Sequence, residues 1–118
     1  MEIFGKNYDF LLSVGAEEEI AHLCPDGDIR KLGELMGGEN AIAGAKKTAC
    51  ILSRWHEKRR AFEEPDYEPE PLTEELLDLL PFSCFTALQA EVMAAFRRDM
   101  KQNVEVDDAK KNAAARSS

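Results

Sequence analysis

The sequence predicts a mainly α fold of the α+β type, with an N-terminal β-hairpin packed on a bundle of about four to five helices. Two observations predict it. Apolar and polar residues alternate over residues 1–12, and apolar residues then recur at helical spacing on both sides of one proline-rich stretch. With 118 residues, 44% of them hydrophobic, the chain has the size of one small domain with one core. We therefore expect a single domain over residues 1–102.

The hairpin is predicted over residues 1–12. Gly5 and Lys6 suit the central positions of a type II′ turn, whose first central position favours Gly. That register places Glu2 opposite Asp9, a like-charge pair that argues against it. An isolated hairpin is only marginally stable in water, so its apolar face must pack on helices or on another chain. That face comprises Met1, Ile3, Tyr8, Phe10 and Leu12.

Helices are predicted over residues 16–62 and 73–101. The longest covers residues 41–62, and its first half is rich in small residues, which lets a neighbouring element approach closely. Its expected apolar stripe comprises Ile42, Ala45, Ala49, Leu52, Trp55 and Phe62. The expected stripe of the last helix comprises Phe82, Phe85, Leu88, Val92 and Phe96.

Two segments are predicted to be non-helical. Residues 63–72 form an acidic, proline-rich linker, which favours an extended path and is expected to fold back on the basic end of the longest helix. Residues 103–118 are polar and alanine-rich without an apolar stripe, so we expect a mobile C-terminal tail.

Composition argues against several classes of function. A formal net charge of −8 disfavours sustained attraction to nucleic acid phosphates. Cys24, Cys50 and Cys84 lie far apart, which favours buried thiols in a reducing compartment over disulfides or a metal site. No apolar run is long enough to span a membrane, and no basic-then-apolar signal opens the sequence. We therefore expect a cytoplasmic protein without metal or cofactor.

No catalytic residues are predicted, and we expect no enzymatic activity. The sequence contains neither a phosphate-binding glycine loop nor a nucleophile elbow. His22 and His56 are the only candidate bases near neutral pH, and each is interpreted as a surface or partly buried histidine. The candidate functional residues are instead a partner-binding set from the hairpin, the longest helix and the last helix: Tyr8, Phe10, Arg54, Trp55, Lys58, Arg59, Phe85 and Phe96.

The basic residues of the longest helix allow two interpretations. In one, the cluster over residues 54–60 is a nucleic-acid-binding face. In the other, it is a solvated face balanced by the acidic linker that follows. The second is favoured, because no helix pair precedes it at helix-turn-helix spacing.

The order of elements resembles the small tail assembly chaperones of long-tailed phages and prophages. The resemblance covers most of the chain, from a start reading MEIFGKNYDFLLSVGAEEEIAHL, through a proline-acid break, to a segment reading LTEELLDLLPFSCFTALQAEVMAAFRRDM. The family has no catalytic or ligand residue that transfers to this sequence. The resemblance implies a non-enzymatic assembly factor that binds the tape measure protein and the tail tube protein.

The resemblance has two further implications. Exposed apolar surface for a helical client tends to self-associate in the free protein, so a homo-oligomer is expected. Many members also have a longer form made by ribosomal frameshifting; this chain resembles the short form, and Lys110-Lys111-Asn112 is compatible with a slippery codon run. Two alternatives remain: another phage morphogenesis module, such as a head–tail connector component, or a small DNA-binding regulator that uses the basic helix.

Overall fold

The structure, a computed structural model, describes residues 1–100 and confirms a mainly helical fold with an N-terminal antiparallel hairpin. The elements in chain order are β1 (Glu2–Ile3), β2 (Lys6–Asn7), α1 (Val14–Leu23), α2 (Leu32–Gly37), α3 (Ala41–Glu63), α4 (Glu74–Asp78) and α5 (residues 85–100). The predicted tail over residues 103–118 lies outside the described residues.

The predicted hairpin register is wrong by two residues. Phe4 and Gly5, not Gly5 and Lys6, occupy the centre of the turn, with φ of 49° and 80°. Two positive φ values define a type I′ turn, which matches the twist of the flanking strands. Glu2 now faces Asn7 instead of Asp9, so the like-charge pair of the predicted register is absent.

A shift of two residues preserves the alternation of faces, so the predicted apolar face is buried. The pairing itself ends early: the Tyr8 amide donates to the carbonyl of Met1 over 2.8 Å, and no strand is assigned after Asn7 within residues 1–100. The hairpin is therefore shorter than the predicted 1–12. Residues 8–13, called the N-terminal arm below, cross α3 instead, where the Leu11 amide donates to the carbonyl of Leu52 over 3.1 Å. The buried residues are Ile3, Tyr8, Phe10 and Leu12.

The N-terminus of α1 is set by Ser13, whose hydroxyl accepts a hydrogen bond from the Ala16 amide over 3.1 Å. The helix therefore begins at Val14, two residues before the predicted start. It ends at Leu23, two residues before Pro25, which cannot continue a helix.

Close packing between α2 and α3 confirms the expectation from the small residues of α3. A Cβ on Gly44 would overlap the carbonyl oxygen of Leu35, so only glycine allows this approach. Ala45 and Ala49 beside it are fully buried.

The predicted apolar stripe of α3 is partly wrong. Ile42 is 50% exposed and Phe62 is 87% exposed, whereas Thr48 and Ser53 are buried. Small polar residues enter the core because their hydroxyls find partners. Thr48 donates to the Gly44 carbonyl over 2.7 Å, and Ser53 accepts from the Leu72 amide over 2.9 Å.

The predicted linker over residues 63–72 is non-helical up to Thr73 except at Glu63, which is the last residue of α3, and it lies against two neighbours. The Arg60 guanidinium lies 4.0 Å from the centroid of the Tyr67 ring, which agrees with the expected fold-back on the basic end of α3. Glu70 pairs with Lys6 of the hairpin. The linker therefore joins α3 to the hairpin as well as to α4.

The last helical region differs from prediction at its start. Phe82 lies in a separate 3₁₀ turn (Phe82–Cys84) before α5 and is 75% exposed, although it was expected in the buried stripe. The far end of α5 holds the N-terminal arm. Asp99 accepts from the Leu12 amide over 2.8 Å, and Arg98 donates to the Phe10 carbonyl over 2.5 Å. The stripe that α5 does bury comprises Leu88, Val92, Ala95 and Phe96.

Candidate protein-binding surfaces

The nucleophilic and metal-ligating side chains form no reactive cluster within residues 1–100. No group of three or more His, Cys, Asp or Glu side chains there is placed to hold a metal ion. Burial raises the pKa of the Cys50 thiol to about 12, so this residue is a neutral thiol at physiological pH. Burial raises the pKa of Cys24 as well.

Three of the predicted partner-binding residues belong to the core. Tyr8, Phe10 and Phe96 are 8%, 4% and 3% exposed. They were selected because an amphipathic hairpin and a Phe-rich helix were expected to leave apolar surface open. Instead, the hairpin, the N-terminal arm and α5 cover one another, so none of the three offers its side chain to a partner in this conformation.

Arg54 and Trp55 are fixed by one carboxylate of α1. Glu19 pairs with the Arg54 guanidinium and accepts from the Trp55 indole N–H over 2.9 Å. The hydrogen bond from Arg54 and the one from Trp55 hold the pKa of Glu19 below its usual value, against the effect of burial. Gly15 lies directly against the Trp55 ring, and a Cβ at this position would overlap the ring. The indole is therefore a rigid, half-buried surface.

The basic end of α3 is largely neutralised by neighbouring carboxylates. Arg59 pairs with Glu63 over 3.0 Å, and Arg60 pairs with Glu64 over 2.9 Å, both at the i,i+4 spacing. Lys58 lies 4.3 Å from the Trp55 ring centroid in a cation–π contact. This arrangement agrees with a solvated, balanced helix face.

One apolar groove lies where the N-terminal arm crosses the second half of α3. This surface, called the Phe62 groove, has a volume of about 470 Å³. Its most exposed apolar side chains are Val14 and Phe62, each 87% exposed. Lys58 and Arg59 form a basic rim, and Asp99 closes the side next to α5.

A second apolar groove lies where the start of α3 meets the segment between α4 and α5. This surface, called the Phe85 groove, has a volume of about 180 Å³. Phe82 stacks on Phe85 with ring centroids 5.8 Å apart, and Ile42 lies on the opposite wall. Lys46 on its rim is paired with Asp78 over 2.5 Å.

Phe85 is the predicted site residue that lines the Phe85 groove, while Trp55, Lys58 and Arg59 line the Phe62 groove. The exposure of five other apolar residues was not predicted from the sequence, because each was expected in a buried stripe or in no stripe. A position in the first or last turn of an apolar stripe was the available sequence signal of exposure, since the end of a helix often extends beyond the elements packed against it. The missed residues are Val14, Ile42, Phe62, Leu79 and Phe82.

These features define a small, mainly helical protein that presents two apolar grooves. None of its helices within residues 1–100 combines the length and the apolar character needed to cross a bilayer. No protein-family model, curated protein or solved structure matches the chain.

Proposed function

We propose that this protein is a non-enzymatic tail assembly chaperone of a phage or prophage, acting in the bacterial cytoplasm. The observation that supports it best is the Phe85 groove, where Phe82 and Ile42 are 75% and 50% exposed within a small fold. Contiguous exposed apolar side chains of this kind mark protein-interaction sites. The resemblance of the two quoted segments to this family supplies the biological setting.

The clients that the resemblance implies are the tape measure protein and the tail tube protein. A long helical client presents apolar side chains at i, i+3, i+4 and i+7, and such a helix fits an apolar groove. The stacked pair Phe82 and Phe85 supplies large aromatic contact area, which is typical of the residues that dominate binding energy. We propose that the same surface lets the free protein self-associate.

Co-purification with the tape measure protein tests the proposal, with that protein taken from the gene immediately downstream. We expect the full chain to retain it and the double variant Phe82→Asp/Phe85→Asp to lose it. Phe4→Asp is the matched control, because Phe4 is 60% exposed on the hairpin turn, outside the residues that line the Phe85 groove. Loss with both variants, or retention with both, would contradict the assignment of the groove.

Gene order gives an independent test of the setting. A tape measure gene immediately downstream supports the chaperone, whereas a position among head-completion genes would replace it with a connector component. A gel-shift assay at physiological salt addresses the DNA-binding alternative, which the pairing of Arg54, Arg59 and Arg60 with carboxylates disfavours.

A further inference from the structure

The described chain ends beside the Phe62 groove. Asp99, the penultimate described residue, lines the groove together with Val14, Trp55 and Phe62. Asp99 is held in place by hydrogen bonds from the Leu12 amide and from Arg98. The described part of the chain therefore ends next to an open apolar groove.

The groove has a definite chemical preference. Val14 and Phe62 offer apolar surface that no residue between 1 and 100 covers, since each is 87% exposed. On the adjoining rim Arg59 is paired with Glu63, whereas Lys58 stacks on Trp55 and forms no salt bridge within residues 1–100. A segment that alternates branched apolar side chains with carboxylates is complementary to such a surface.

The chain contains one such segment immediately after Met100. Residues 104–108 read Val-Glu-Val-Asp-Asp, and they hold every valine and every acidic residue of the stretch 101–118. We propose that residues 104–108 bind in the Phe62 groove of their own chain, with the two valines on Val14 and Phe62 and the carboxylates next to Lys58.

The distances allow this contact. Val104 is the fourth residue after Met100, and four extended residues span at most about 14 Å. A segment tethered this closely has an effective local concentration on the order of millimolar, so modest contacts suffice for binding.

The Phe85 groove is a poorer site for the same segment. It lies at the start of α5. The helical rise over the fifteen residues from 85 to 100 places it about 22 Å from the last described residue. Its rim lysine, Lys46, is already paired with Asp78. Proximity and charge therefore both select the Phe62 groove.

A segment bound there covers Val14 and Phe62 and leaves the Phe85 groove open. This inference does not rest on the proposed chaperone function, because it concerns contacts within one chain.

Photo-crosslinking of the full chain tests the inference. Benzoylphenylalanine placed at Val106 is expected to crosslink within one chain to residues 11–14 and 55–62. The same probe at Ala113 is the control, and it is expected to show no preference for these residues. Crosslinks from position 106 that lie elsewhere, or that join two chains in dilute solution, would overturn the proposal.

Charge reversal provides a second test, and the measured quantity is the yield of the same crosslink from position 106. Lys58→Glu is expected to reduce its yield several-fold, and Asp107→Lys/Asp108→Lys is expected to do the same. The combination of both changes restores opposite charges and is expected to recover the yield. Lys47→Glu, an exposed α3 lysine that does not line the groove, should leave the yield unchanged. A yield that is insensitive to Lys58→Glu, or that the combination does not restore, would refute the ionic part of the contact.

Discussion

The two halves of α3 are held in the fold by different physical means. Residues 41–52 pack by shape: small side chains and Gly44 bring α2 into direct contact, and the buried surface is mostly apolar. Residues 53–63 pack by polar contacts: Ser53 is buried under the linker, and the outer turns carry paired charges. The free energy of unfolding should therefore depend on side-chain volume in the first half of α3 and on hydrogen bonds in the second half.

Leu52→Ala is the strongest test of the apolar half. Leu52 is fully buried in the core, so truncation leaves a cavity and is expected to lower the free energy of unfolding by about 2–5 kcal/mol. Urea denaturation monitored by circular dichroism measures it. Ile42→Ala on the same helix is the control and should cost much less, because Ile42 is half exposed. Equal losses would mean that α3 is not packed as described.

Gly44→Ala tests the close approach of α2. The added methyl group meets the carbonyl of Leu35, so we expect a loss of about 1–3 kcal/mol, even though alanine is the better helix former. Gly33→Ala is the matched control on α2: its Cβ meets nothing within 4 Å, so it should stabilise the protein by about 0.4–1 kcal/mol. Thermal unfolding of both variants separates them by sign, and stabilisation by Gly44→Ala would refute the contact.

Ser53→Ala tests the polar half. The change leaves the Leu72 amide buried without its acceptor, which is expected to cost about 1–3 kcal/mol in urea denaturation. Ser83→Ala removes the same hydroxyl at an exposed position and should change stability by less than about 0.5 kcal/mol. A negligible effect at Ser53 would show that water replaces this hydrogen bond.

The pH dependence of stability tests the Asp99 carboxylate, which accepts a hydrogen bond from the N-terminal arm. Burial opposes ionisation of Asp99, but the hydrogen bonds from Arg98 and from the Leu12 amide outweigh it and lower the pKa below the ordinary 3.8. A lowered pKa stabilises the folded state above pH 3.8, and this contribution is lost as the pH falls through the folded-state value.

Asp99→Asn is therefore expected to destabilise the protein at pH 7, with a difference from the unchanged chain that shrinks as the pH falls below 3.8. Denaturation midpoints at pH 7, 5 and 3 measure this trend. A difference that stays constant over that range would contradict the role of the charge.

Arg54→Ala is expected to have the smallest effect. Both partners of the Arg54–Glu19 pair are more than a third exposed, so the ion pair contributes less than about 1 kcal/mol. Its contribution should fall further in 0.5 M salt, as measured by denaturation with and without salt. Glu19→Gln is the companion variant, since it removes the charge and keeps an acceptor for the Trp55 indole. A larger loss from Arg54→Ala would indicate that Arg54 also positions the indole.

Much of the fold was predictable because its signals are local. The helical segments on both sides of the linker and the non-helical linker itself each depend on residues close in the chain, and all are present. The hairpin register failed because Gly5 is compatible with two turn types, and only the packing of the flanking residues selects between them.

The candidate site was less predictable, since it depends on which residues remain uncovered. Composition and spacing identified Trp55, Lys58, Arg59 and Phe85, which do line the grooves. Spacing alone does not reveal where a helix extends beyond the elements packed against it, so the exposure of Phe62 and Phe82 was not predicted.

The sequence by itself determined the helical class, the element order and the alternation that buries the hairpin face, because periodicity and capping act over a few residues. Only the tertiary structure decided the turn register, the burial of Thr48 and Ser53, and the exposure of both ends of α3. Those outcomes depend on contacts between segments far apart in the chain: Ser53 enters the core because the Leu72 amide meets it there, and Phe62 is exposed because none of residues 1–100 packs over it.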